Sequence, residues 1–197
     1  RALKMHGGLE KDYLKKENIP ALKKGIVNLE RHISNIKKFG LEPVVAINHF
    51  VLDTNNEIKE IKKFCNNIGV EVSVSSHWAN GGKGATDLAK KVVKICKNSN
   101  KKNFRYLYTE KLSPWKKIEK IAKEIYGAET VTAPTEVKND LRKFELNGYG
   151  NLPVCIAKTQ YSFSVDPKLK GAPQNHEIPI REVRLSSGAN FIVVVCG

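Results

Sequence analysis

The sequence predicts an α/β fold: a mostly parallel sheet flanked by helices, with a smaller mixed element toward the C-terminal end. Three observations carry this expectation. Short apolar runs of strand length alternate with segments whose apolar residues recur at helical spacing. The connections between them are short, as in β-loop-α units that build a parallel sheet. From Gly148 onward the pattern changes to strand-like runs separated by Gly, Pro and polar residues.

Each element has its own warrant. Between Asn18 and Phe39, Leu22, Ile26, Leu29, Ile33 and Ile36 recur at helical spacing, with Asn18 as N-cap, Pro20 in the first turn and Gly40 as the stop. Residues 43–48 form an apolar run suited to a covered parallel strand. A helix from about residue 55 places Ile58, Ile61, Cys65 and Ile68 on one face and ends at Gly69; the next strand is VEVSVS. The Gly-rich turn ANGGKG opens a third helix with the stripe Leu88, Val92 and Ile95, and FRYLY at 104–108 is expected as a short strand. Ser113 with Pro114 caps a helix carrying Ile118, Ile121 and Ile125, and another around 135–146 carries Val137, Leu141 and Phe144. PVCIAK is a further buried strand. The long polar segment TQYSFSVDPKLKGAPQNHEIP follows, and REVRLSSGANFIVVVCG closes the chain as two strands joined by a Ser-Ser-Gly-Ala turn.

At 197 residues, 41% hydrophobic and 27% charged, the chain has the composition of a globular protein with a real core. It has no run of roughly 20 apolar residues, so no membrane partner is expected. The first residues lack the apolar segment of a signal peptide. The chain begins without Met and stops on a strand, from which a piece of a longer protein is expected. Cys65, Cys96, Cys155 and Cys196 lack zinc-ligand spacing, so no metal site is expected. Their apolar surroundings predict buried, reduced thiols and a cytoplasmic location. The net charge of +14 invites a nucleic-acid partner, but only six of the 34 basic residues are Arg. The lysines fall on helix faces, as at Lys37–Lys38, Lys62–Lys63, Lys90–Lys91 and Lys116–Lys117, and the dense patch at 97–102 has no interleaved aromatics. Solvated faces, not a nucleic-acid surface, are the expectation.

Two aromatics stand just past strand ends. Phe50 follows the strand at 43–48, and Trp78 follows VEVSVS. Ligands of doubly wound sheets sit at the carboxyl ends of the strands. Two aromatics there could hold a flat heterocycle between them, or each could simply cap the core under its loop.

RALKMHGG, NLERHI, PVVAINHFVLDT, HWANGGKG, YGNLPVCIAKTQYSFSVDP and REVRLSSGANFIVVVCG together resemble the formate–tetrahydrofolate ligase family, also called 10-formyltetrahydrofolate synthetases. The resemblance runs in order over nearly the whole chain. It implies MgATP-dependent joining of formate to tetrahydrofolate through formyl phosphate, with small-molecule substrates and a homo-oligomeric full-length protein. It also implies that the pterin ring lies between Phe50, at the INxF-type strand end, and Trp78, in the WAxGGxG-type loop. On this resemblance residues 1–40 end a preceding nucleotide domain, 41–147 form the folate-binding α/β unit, and 148–197 a mixed strand-rich element. ATP with Mg is then handled mainly by the part that precedes RALKMHGG, because the phosphate-binding pattern GxxxxGK[ST] is absent here. Val51-Leu52 also departs from the Pro-Thr pair of many members.

Other residues are weaker candidates. Asp53 reads either as a cap for the helix after it or as a hydrogen-bond partner for the pterin's amino-pyrimidine edge. Lys158, Gln160 and Tyr161 follow another strand end and could line the folate site. His49 and His77 neighbour the aromatics, His6 lies in MHGG, and GGKGAT could receive an anion at a helix start. No catalytic residue is assigned. The alternative to a ligase is a non-catalytic binding module that retains the folate-side fold.

Overall fold

The computed structural model describes residues 1–98, 103–158 and 163–197. The chain divides into two compact units, Arg1–Arg105 and Tyr106–Gly197.

The first unit opens with a short helix α1 (Ala2–His6) laid against the long helix α2 (Ile19–Lys38). Asn18 caps α2 as expected: its side-chain oxygen accepts the Ala21 N–H at 2.8 Å. Strand β1 (Val44–Asn48), helix α3 (Asn55–Asn67) and strand β2 (Glu71–Ser75) follow, and β1 and β2 pair in parallel with Asn48 opposite Ser75. The core joins Ile33 of α2 to Val45, Cys65, Val70 and Val72, with Leu29, Ile47, Ile61, Phe64 and Ile68 packed around them. Helix α2 thus shares a core with β1 and β2. A short helix α4 (His77–Asn80) and helix α5 (Thr86–Asn98) complete the unit. The expected stripe of α5 is only half covered; Val92 is exposed.

In the second unit, α6 (Pro114–Ile121), extended by a wider helical turn through Tyr126, leads into β3 (Ala128–Thr132). Then come α7 (Thr135–Phe144), β4 (Val154–Ala157), β5 (His176–Ser186) and β6 (Phe191–Cys196). The sheet order is β3-β5-β6-β4, parallel at β3–β5 and β6–β4 and antiparallel at the β5–β6 hairpin. Strands on either side of residue 148 share this sheet. Its core comprises Ile118, Ala122, Val137, Leu141, Ile178, Ile180, Ile192 and Val194 among others.

The α/β class with a parallel sheet and a mixed C-terminal sheet is thus the fold, with several local departures. FRYLY is not a strand: the Arg105 N–H is taken by the Phe39 carbonyl, and Tyr108 uses its hydroxyl to accept the Val154 N–H at 3.0 Å. Strand β3 was not expected; AETVT is short and half polar, and the signal for it is Gly127, which ends the preceding turn at φ 71°. Strand β5 begins inside the segment read as polar loop. Cys96 and Cys155 are exposed, on the outer face of α5 and on the edge strand β4, while Cys65 and Cys196 are buried. Lys117, read as part of a solvated face, is fully buried; its ammonium donates to the Gly150 and Leu152 carbonyls at 2.9 Å each. Among the described residues no helix is long and apolar enough to cross a membrane.

Candidate functional site

The parallel pairing of β1 and β2 brings two strand carboxyl ends side by side. The ladder runs one step beyond the strands, the His49 N–H donating to the Ser75 carbonyl at 2.9 Å. The loop carrying Phe50 and the loop carrying Trp78 therefore leave the same edge from adjacent strands. Trp78 is 77% exposed. In the neighbouring loop Phe50 is half-buried, while Val51 and Leu52 are exposed.

The Phe50 loop is a closed turn. The Phe50 N–H donates to Asp53 Oδ2 at 2.9 Å, and the Asp53 N–H donates back to the Phe50 carbonyl at 2.9 Å. Asp53 is consequently not the helix cap. That place belongs to Thr54, whose hydroxyl accepts the Glu57 N–H at 3.3 Å. The second oxygen of Asp53 lies 3.7 Å from Arg1 Nε. The Arg1 guanidinium carbon in turn stands 4.6 Å from the centroid of the Phe50 ring.

Trp78 sits on a braced turn. Ser75 Oγ lies 2.9 Å from His77 Nδ1, and the Asn80 side-chain amide donates to Ser76 Oγ at 3.0 Å. His77 is thus engaged with Ser75 at the base of the turn. The Gly-rich stretch folds back so closely that the Ser76 N–H donates to the Gly84 carbonyl, and a Cβ at Gly84 would lie 2.5 Å from the Ser76 carbonyl carbon. Gly84 is needed for that approach. The start of α5 already carries a negative charge in its first turn, Asp87, which accepts from Ser73 Oγ at 2.6 Å and pairs with Lys91 at 3.1 Å. These two hydrogen bonds, Ser73 first, hold its carboxyl below the ordinary range. Such a turn is a poor receptor for a second anion.

Beneath the Phe50 loop lies a cavity of about 280 Å³ lined by Arg1, Leu3, Leu22, Ile47, Phe50 and Glu57, among others. Glu57 and Lys4 form a buried ion pair at 2.8 Å. The Lys4 ammonium also donates to the Lys16 carbonyl at 2.7 Å, and Glu57 accepts the Asn18 N–H at 2.9 Å. Burial pushes the Glu57 carboxyl up, but the Lys4 and Asn18 hydrogen bonds and the Lys4 charge outweigh it, and its pKa lies below the ordinary 4.5. Sequence reasoning missed Arg1, Lys4 and Glu57. A single Lys among Ala2, Leu3 and Met5 was the available signal.

Lys158 belongs to the second unit, where its ammonium donates to the Ser164 carbonyl at 3.1 Å and stands 5.6 Å from the Tyr126 ring centroid. Burial lowers its pKa. Gln160 and Tyr161 lie outside the described residues. His6 is half-buried at the end of α1.

Comparison with known proteins bears on the identity of this edge. The family model described as formate–tetrahydrofolate ligase matches residues 1–197. The formate–tetrahydrofolate ligase of Pelagibacter ubique is 59% identical over all 197 residues, which cover 35% of that protein. Those of Ruegeria pomeroyi and Granulibacter bethesdensis are 53% and 50% identical, again over the whole chain and over 35% and 34% of their own lengths. The chain therefore spans about a third of the length of the curated relatives it matches. A family match over every residue, with both aromatic-bearing strand ends inside it, means that this chain belongs to the formate–tetrahydrofolate ligase family.

Proposed function

We propose that this chain is the folate-holding part of a longer ligase that joins formate to tetrahydrofolate at the expense of ATP, and that Phe50 and Trp78 stack on the two faces of the pterin ring. The observation that carries the reading is the β1–β2 register, with Asn48 opposite Ser75, which sends both aromatic loops out from one edge. An exposed indole and a half-buried phenyl ring on loops that leave one sheet edge support a stacking site for a planar heterocycle.

In this reading ATP phosphorylates formate, and a folate amine attacks the formyl carbon of the resulting formyl phosphate and expels phosphate. The chain's share of catalysis is positioning: a ring held at fixed depth presents its amine to the mixed anhydride. The amides and Lys that would hold the ATP phosphates are assigned to the rest of the longer protein, since this sequence has no GxxxxGK[ST] pattern. In the full-length ligase, Trp78→Ala and Phe50→Ala should each weaken tetrahydrofolate binding by about 1–3 kcal/mol, with the ATP requirement nearly unchanged. Steady-state kinetics with each substrate varied in turn is the test. An unchanged KM for tetrahydrofolate in either variant would remove the clamp.

A further inference from the structure

The Phe50 ring is held from the side as well as carried by its loop. A phenyl ring has two faces, and the Arg1 guanidinium, 4.6 Å from the centroid, occupies one of them. The same guanidinium is anchored by Asp53 at 3.7 Å, and Asp53 closes the Phe50 turn through the Phe50 N–H at 2.9 Å. One carboxylate thus links the backbone of the aromatic to the cation stacked on its ring. Both groups are largely withdrawn from solvent, with the Asp53 side chain 13% and the Arg1 side chain 33% exposed, so the pair is screened less than a surface contact. Other charges stand nearby: Lys4 and Glu57 pair with one another below, and Glu57 lines the same cavity as Arg1 and Asp53.

We infer that Arg1 and Asp53 are positioning residues for the folate ring: they fix the rotamer and tilt of Phe50, so that its opposite face is presented to the substrate. This rests on the proposed clamp and adds a mechanism to it. Without the guanidinium the ring can move among staggered rotamers at little cost, and part of the stacking geometry is lost before substrate arrives. The aromatic itself remains, so the effect is smaller than that of deleting Phe50.

The test uses the full-length ligase with Arg1→Met, Arg1→Lys, Asp53→Asn and Phe50→Ala, and the double variant Arg1→Met/Phe50→Ala. Arg1→Met should raise KM for tetrahydrofolate roughly 3- to 20-fold, the range of a partly desolvated cation–π contact, with kcat and the KM for ATP nearly unchanged. Arg1→Lys, which keeps a cation for the ring, should recover part of that loss, and Asp53→Asn should fall between wild type and Arg1→Met. Arg1→Met should add nothing further once Phe50 is already Ala, because the two residues act as one unit. Equal losses for all substrates, or an Arg1→Met effect that persists undiminished in the Phe50→Ala background, would overturn the inference. If Phe50→Ala raises the tetrahydrofolate KM and Arg1→Met and Arg1→Lys leave it alone, the positioning role fails while the clamp stands. If Phe50→Ala has no effect, the clamp itself fails. Should Arg1→Met not fold, Arg1→Lys against Asp53→Asn decides: matching wild-type values in both would reject the role.

Discussion

Lys4 and Glu57 show how much a single buried pair can govern around this site. Each charge is removed from water, and each is satisfied twice: Lys4 by Glu57 and the Lys16 carbonyl, Glu57 by Lys4 and the Asn18 N–H. Removing one partner of such a pair leaves the other buried and alone, a loss of about 3–5 kcal/mol. Glu57→Gln keeps the shape and should therefore lower the unfolding free energy of this chain by an amount of that order, measured by urea denaturation at neutral pH. The pH dependence has a definite sign. Because the folded pKa of Glu57 is depressed, its stabilisation is fully present above the ordinary value of 4.5 and is lost as pH falls through the folded pKa. The wild-type chain should lose stability faster than Glu57→Gln below about pH 4.5. Parallel acid profiles for the two proteins would refute this account. Neither residue was legible beforehand, since a Lys and a Glu 53 positions apart carry no sign that the chain will bury them together.

At the scale of elements, the contact between α1 and α2 is set by two glycines. A Cβ at Gly25 would stand 1.8 Å from the Leu3 carbonyl oxygen, and one at Gly7 would stand 1.8 Å from the Ala21 carbonyl oxygen. In an isolated helix Gly25→Ala would gain about 1 kcal/mol from propensity. Here the obstacle is backbone, which cannot swing aside as a side chain can, so the helices must separate. Overpacking of this kind costs about 1–3 kcal/mol and should outweigh the gain. A net loss of stability in chemical denaturation is expected for Gly25→Ala, and a net increase would show that α1 is held loosely. The helices themselves were legible, because caps and 3.6-residue stripes are local; Asn18 and Ser113 cap where expected. Strand β3 and the start of β5 were not, because their pairing depends on partners far along the chain.

Over the whole molecule, the four thiols should sort by burial and not by their apolar neighbours in sequence. None of the four is in a disulfide; Cys96 and Cys155 are exposed, and Cys65 and Cys196 are buried. Burial pushes the Cys196 thiol up to about 11, against the opposing pull of Lys158, and raises Cys65 as well. At pH 8 the thiolate fraction of Cys196 is then on the order of one in a thousand. Titration of the native chain with a disulfide reagent at pH 8, followed by peptide mapping, should label Cys96 and Cys155 quickly and the other two only on unfolding. Labelling of Cys196 as fast as Cys155 would contradict the burial of β6.

Taken alone, the sequence was sufficient for the α/β class, the longer helices, the strands that become β1, β2, β4 and β6, and the motifs shared with the formate–tetrahydrofolate ligase family. These rest on periodicity, capping and short unusual strings, all of which act over a few residues. Only the tertiary structure decided that Asp53 brackets the Phe50 turn while Thr54 caps the helix, and that Arg1 lies on the Phe50 ring. The same holds for the burial of Lys4 and Lys117 and the exposure of Cys96 and Cys155. The reason is physical: a side chain's partner is set by which distant backbone happens to approach it, and desolvation depends on the total packing around it. Local pattern reports the elements, and long-range contact chooses what each side chain does.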